Sequence, residues 1–211
     1  MLNSTGTDVN KFRNFSATER KLIEIWKNVL FLSAQKYNAL HKNSDFFEFV
    51  GWSATHELAD LKQQVEYAFK ISTEPFALDK YSLFSEQAAL IDRIIIHKES
   101  IVFLSSWINE VYSSSTDPSI KETRIKQIPA EYQISLRELL AQSSCDIVLL
   151  RDIDFADVEN STLSNVSVQV ELCARKGAAL ITMHRLNLLF TIDVVDNPEP
   201  KILSLQHSPI A

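Results

Sequence analysis

Glycine is scarce in this chain: Gly6, Gly51 and Gly177 are the only three in 211 residues. Loops that cradle phosphate need several glycines close together, because their backbone N–H groups must crowd the anion. Their absence argues against a working P-loop nucleotidase and against a dinucleotide-binding Rossmann site. Cysteine is rarer still. Cys145 and Cys173 could pair, but two cysteines make no disulfide framework, and a reduced, cytoplasmic protein is the simpler expectation. No apolar run approaches the length of a membrane span, and the opening MLNSTGTDVNKFRN lacks the apolar core of a signal peptide, so no membrane insertion is expected. Basic residues are in deficit, 21 Lys and Arg against 27 Asp and Glu, for a net charge of −6. That balance, with no basic cluster to override it, argues against a nucleic-acid partner bound through phosphate neutralisation. No H-x-x-H, C-x-x-C or H-E-x-x-H spacing points to a metal. What remains is 45% hydrophobic and 23% charged, the balance of a soluble globular protein with room for one large or two small domains.

The first fourteen residues are polar and read as a flexible N-terminus. Ser16 and Glu19 form an S-x-x-E capping box with Phe15 before it, and Leu22, Ile25, Trp26, Val29 and Leu30 follow at helical spacing. A polar loop is expected over 33–45. Phe46, Phe47 and Phe49 then offer three aromatics that plug the chain into a core. A second long helix is expected from about Ser53, with Leu58, Leu61, Val65 and Phe69 on one stripe. PFALDKYSLF reads as a brief helix or turn, and Ser85 as the cap of a final helix ending near Arg93. Residues 15–93 thus predict a small four-helix bundle.

From residue 94 to 211 the pattern predicts a small α/β domain of unknown role with a mostly buried sheet. IVFLSSWINEVY has imperfect helical spacing, SSSTDPSIKETRIKQIP reads as a loop, and SLRELLAQ as a helix. CDIVLLRDI and AALITMH read as buried strands, 162–176 as a helix between them, and LLFTIDVV with KILSLQ as a terminal hairpin turned by DNPEP. There is no internal repeat.

The segment DFFEFVGWSATHEL, 45–58, carries the chemistry. A serine at the head of a helix sits among unpaired N–H groups and the positive end of the dipole, well placed to carry an anionic phosphodiester. Gly51 lets the loop turn tightly, and the aromatics hold it so that Ser53 is presented. His56, at i+3, makes a Ser/His catalytic pair conceivable, but no G-x-S-x-G surrounds Ser53. The run Asp45, Phe46, Phe47, Gly51, Trp52, Ser53 resembles the D-x-F-F-x-x-G-G-x-S motif of the thiolation, or peptidyl carrier, domain of nonribosomal peptide synthetases. The likeness extends over about 15–93. It implies 4′-phosphopantetheine on Ser53, flanked by Gly51, Trp52 and Asp45, and an acyl or aminoacyl cargo delivered to partner enzymes. Those partners would be a phosphopantetheinyl transferase and adenylation- or condensation-type enzymes; the chain itself would not catalyse. Val50, Trp52 and Ala54 depart from the family's pattern. The alternative is an unmodified carrier-like scaffold.

In the second half, DIVLLRDIDFAD resembles a Walker B strand ending in Asp152 and Asp154. The region 135–187 is faintly similar to secretion and pilus ATPases, with His184 after a glycine-led strand. The stretch where a P-loop would fall has Lys98 and Ser100 but no glycine, which implies a degenerate, nucleotide-free fold. The plain reading of both acids is a solvent-facing strand end. His184 and Arg185 after a strand, with Asp152, offer a second candidate pocket, as ligands in open α/β sheets bind at the strands' carboxyl ends.

Overall fold

A computed structural model of the chain describes residues 12–50, 55–73, 78–143, 145–157, 163–193 and 200–210. Among them are seven α-helices and one four-stranded antiparallel sheet. The chain divides into two compact units, Met1–Ile96 and His97–Ala211.

The first unit is helical: α1 (Ala17–Val29), α2 (Ala34–Ala39), α3 (Phe46–Val50), α4 (Thr55–Phe69), a 3-10 turn (Leu78–Lys80) and the first part of α5 (Phe84–Tyr112). The capping box is present: Glu19 N donates to Ser16 Oγ at 3.0 Å, and Ser16 N to a Glu19 carboxylate oxygen at 2.6 Å. Two free N–H groups of the first turn are thereby satisfied. The expected loop over 33–45 instead contains α2, capped by Ser33 Oγ, which accepts from Lys36 N at 3.3 Å. The core is built on Trp26, which meets Phe46, Phe84 and Phe49 edge-on with centroids 5.3, 5.2 and 6.3 Å away. Its indole N–H donates to Gln87 Oε1 at 2.9 Å, so the buried polar end of the ring is not left unpaired.

The helix expected to stop near Arg93 does not stop there. α5 runs for 29 residues to Tyr112. Its apolar pattern lapses in the middle: between Ile94 and Leu104 the only buried residue is Ser100. The backbone needs no apolar stripe to stay helical, and Arg93–Val102 contains no glycine or proline to break it. The stretch with Lys98 and Ser100 is therefore mid-helix and forms no phosphate loop.

The second unit holds the remainder of α5, then α6 (Pro118–Ile125), α7 (Ala130–Gln142) and the sheet β1 (Ile147–Asp157), β2 (Leu163–Lys176), β3 (Ala179–Asp193) and β4 (Lys201–Pro209) in the order β1-β2-β3-β4. The expected loop SSSTDPSIKETRIKQIP contains α6. Asp117 caps it, Oδ1 accepting from Ser119 N at 2.8 Å, and Pro118 takes the first helical position, where its missing N–H costs nothing.

The expected alternation of helices with buried strands is corrected here. Residues 163–176 form β2, because Val166, Val168, Val170 and Leu172 recur with period two and are all buried. AALITMH and LLFTID belong to one long strand, β3, and every neighbouring pair is antiparallel. The sheet buries one face. On β3, Leu186, Leu188, Phe190 and Ile192 join Trp107, Ile108 and Val111 of α5 in a core, with Trp107 edge-on to Phe190 at 5.7 Å. The indole N–H of Trp107 donates to Arg124 O at 3.0 Å.

Candidate functional site

The residues singled out by sequence do not converge. Gly51, Trp52, Ser53 and Ala54 lie outside the described residues. Asp45 lies within them and holds the backbone: Oδ1 accepts from Phe47 N and Oδ2 from Ser82 Oγ, each at 2.8 Å. His56 is exposed on α4. Asp152 and Asp154 sit within β1 rather than at its end. Opposite Gln169 and Ser167 they point to solvent, while Ile153 and Phe155 pack inward. His184 pairs with Leu172 on β3, two strands across and three residues along from Asp152, roughly 14 Å away. In an antiparallel meander there is no switch point at which strand ends converge, so the pocket expected from Asp152 and His184 does not form. Cys145 and Cys173 are both free and buried. Among the described residues no three of His, Cys, Asp and Glu gather as a metal site, and no helix is long and apolar enough to cross a membrane.

The first unit has an open depression of about 480 Å³ beside the start of α1, bordered by Arg13, Phe15, Glu19, Lys42 and Asp92. Its charges serve the fold. Lys42 Nζ lies 2.8 Å from Glu19, and Asp92 accepts from the Thr18 hydroxyl.

The second unit offers a more distinctive feature. β1 starts opposite Cys173, and β4 ends opposite Leu186, with Ile210 N donating to Arg185 O at 2.9 Å. Beyond those limits β2 and β3 continue alone as a two-stranded hairpin: Cys173 pairs with Thr182, Ala174 with Ile181, Arg175 with Leu180, and Lys176 with Ala179. The seven residues from Ala179 to Arg185 are all exposed, whereas inward and outward positions alternate from Leu186 onward. Across six residue steps the overhang reaches about 20 Å. Gly177 opens the turn at φ 63°, a conformation that costs glycine nothing.

Three large apolar side chains crowd this tip: Leu180, Ile181 and Met183 are 44%, 41% and 53% exposed. Pairing slips between Leu172/His184 and Cys173/Thr182, so Met183 is the extra residue of a bulge. Bulges kink a strand and re-aim its side chains. The base is braced by charge. Glu171 accepts from Arg151 at 2.7 and 2.9 Å and from Arg185 at 3.0 Å, linking three strands on the outer face. Hydrogen bonds from Arg151, reinforced by Arg185, hold the Glu171 carboxyl below the usual range, so it stays ionised. At the near end Asp146 Oδ2 accepts from Arg175 N at 2.8 Å.

AALITMH reads as a buried strand in sequence because a short apolar run looks alike inside and outside a protein. A signal was available: Arg175-Lys176 before Gly177 and His184-Arg185 after the apolar run bracket it with charge, which an interior strand does not tolerate.

No family model and no curated protein matches the chain. A solved structure that matches is described as the crystal structure of CagV, a VirB8 homolog of a type IV secretion system from Helicobacter pylori strain 26695. It is 14% identical, with a TM-score of 0.36, over 54% of this chain and 100% of that one. The expected membership of the peptidyl carrier family, and with it a role in nonribosomal peptide synthesis, is corrected by these findings: they return no carrier domain, and the matching structure is a secretion-system component. At that identity and TM-score the likeness carries no function to this chain.

Proposed function

We propose that the chain is a non-catalytic docking protein whose contact element is the β2–β3 hairpin, with the remainder of the second unit as its rigid base. The observation that supports it is the unbroken exposure from Ala179 to Arg185, with three large apolar side chains inside it and no strand on its far edge among the described residues. Exposed apolar clusters of this kind mark contact surfaces, and an open strand edge is normally shortened, charged or covered. The hairpin is braced against fraying by the Arg151–Glu171–Arg185 network, as a projecting contact element requires. Catalysis would need reactive groups brought together, and Asp152 and Asp154 face outward from β1 whereas His184, paired with Leu172, stands on the opposite face of β3.

The test is the hydrodynamic state of the full chain in an extract of the cells that make it. The wild type is expected in a fast-sedimenting fraction. A Leu180→Ser/Ile181→Ser/Met183→Ser variant, unchanged in circular dichroism and Tm, is expected to run as the free 24.0 kDa chain. Identical sedimentation of the two would overturn the proposal.

A further inference from the structure

We infer that the hairpin tip, residues 175–185, docks on an anionic lipid surface at headgroup depth; this rests on the docking reading above and names its partner. Charge points to such a surface. The chain carries 27 acids in 211 residues, about one in eight, yet none falls among the 21 residues 172–192. Arg175, Lys176 and Arg185 lie in that stretch, and the side chains of Arg175 and Lys176 are exposed and make no ion pair with a described residue. The neighbouring acids are engaged: Glu171 by Arg151 and Arg185, and Asp146 by the Arg175 amide and the Ser114 hydroxyl. An overall acidic protein therefore presents a locally cationic tip.

The shape of the tip agrees. Neighbouring residues on a strand point to opposite faces. Leu180 stands beside Arg175 and Ile181 beside Ala174, so apolar side chains emerge on both faces of one thin ribbon. A single protein surface covers one face or one edge of such a ribbon. An interface into which the tip dips covers both, and basic residues bordering the apolar ones meet the phosphates as the apolar side chains pass below them. A second copy of this chain fits less well. Antiparallel pairing of two such edges brings Arg185 of one copy toward Lys176 of the other, and like charges across a pair destabilise it. Contact at the headgroup level needs no spanning helix.

The experiment is sedimentation of the full chain with vesicles of phosphatidylcholine alone and of phosphatidylcholine mixed with phosphatidylglycerol. Binding is expected to the mixed vesicles, to fall with added salt, and to be absent from the neutral ones. The Leu180→Ser/Ile181→Ser/Met183→Ser variant and an Arg175→Glu/Lys176→Glu variant are each expected to bind about tenfold more weakly or worse, at unchanged Tm. An Ile181→Trp reporter is expected to shift its emission to the blue on the mixed vesicles only. No binding by the wild type, equal binding to both vesicles, or full binding by the charge-reversed variant would overturn the lipid assignment. If vesicles fail while sedimentation in extract still depends on Leu180, Ile181 and Met183, the partner is a protein, and the docking reading survives without the lipid. If sedimentation in extract is also indifferent to those residues, both fail.

Discussion

The two units solve the problem of burying an apolar core in different ways. The first gathers rings around Trp26 from segments that each announce themselves locally, by a cap, an aromatic triplet or a helical stripe. The second depends on register. Its core exists only when Val166, Val168 and Val170 of β2 lie beside Leu186, Leu188 and Phe190 of β3, twenty or so residues later. A helix is written in short-range spacing, whereas an antiparallel meander is written in which residues face each other. The contrast extends to the unused surface: the charges of the first unit's depression are absorbed by Lys42–Glu19 and Thr18–Asp92, whereas the second unit leaves a projecting tip.

The largest expected effect tests whether each core rests on its tryptophan. Trp26→Ala and Trp107→Ala each remove a fully buried ring with a satisfied N–H, and each should cost roughly 3–5 kcal/mol by denaturant titration. Hydrogen exchange by residue is expected to show Trp26→Ala loosening α1 and α4 first, and Trp107→Ala loosening β2 and β3 first. Loss of protection in the same residues for both variants would break the comparison.

A smaller effect concerns the hairpin turn. An added Cβ at Gly177 meets nothing within 4 Å, so Gly177→Ala suffers only the backbone penalty of φ 63°, about 1–2 kcal/mol. Exchange is expected to accelerate over 174–184 and to stay unchanged over 186–192. Tyr112 offers an effect of opposite sign. Its hydroxyl is buried without a hydrogen-bond partner among the described residues, and burial drives its pKa far above the ordinary phenol value. Tyr112→Phe removes an unsatisfied group and should raise stability by about 1 kcal/mol, measured as Tm.

The smallest is a pH effect. Hydrogen bonds from Arg124, then Ser106, hold the Glu110 carboxyl below its usual range. A depressed folded pKa adds stability that is complete above the unfolded carboxylate value, near ~4.3, and is lost as pH falls through the folded value. Both side chains are partly exposed, which limits the pair to about 0.5–1 kcal/mol. The deficit of Glu110→Gln should be constant from neutral pH down to about 5 and shrink below it.

Much of the first unit was legible in the sequence. The capping box at Ser16 and Glu19 and the burial of Trp26 and Phe46 follow from spacing alone. The end of α5 was not, because its apolar stripe lapses around Ser100 while the backbone continues. In the second unit α6 hid behind serines and a proline, although Asp117-Pro118 is the start signal of a helix. β2 is hard to tell from a helix in sequence, because its period-two valines sit in a run without turn residues. The Arg151–Glu171–Arg185 bracing was invisible, since three charges spread over 35 residues become neighbours only through register. The candidate tip is half legible: its apolar run is plain in the sequence, and only the basic residues on either side mark that run as exposed.

If the β2–β3 hairpin is the element that meets an anionic lipid surface, hydrogen exchange of the full chain with and without anionic vesicles reads that contact directly. Alone, the amides of 179–184 should exchange faster than those of 186–192; with vesicles, 174–185 should gain protection while α1 to α4 stay as they were. Protection gained in the first unit with 174–185 unchanged, or gained nowhere, would contradict it.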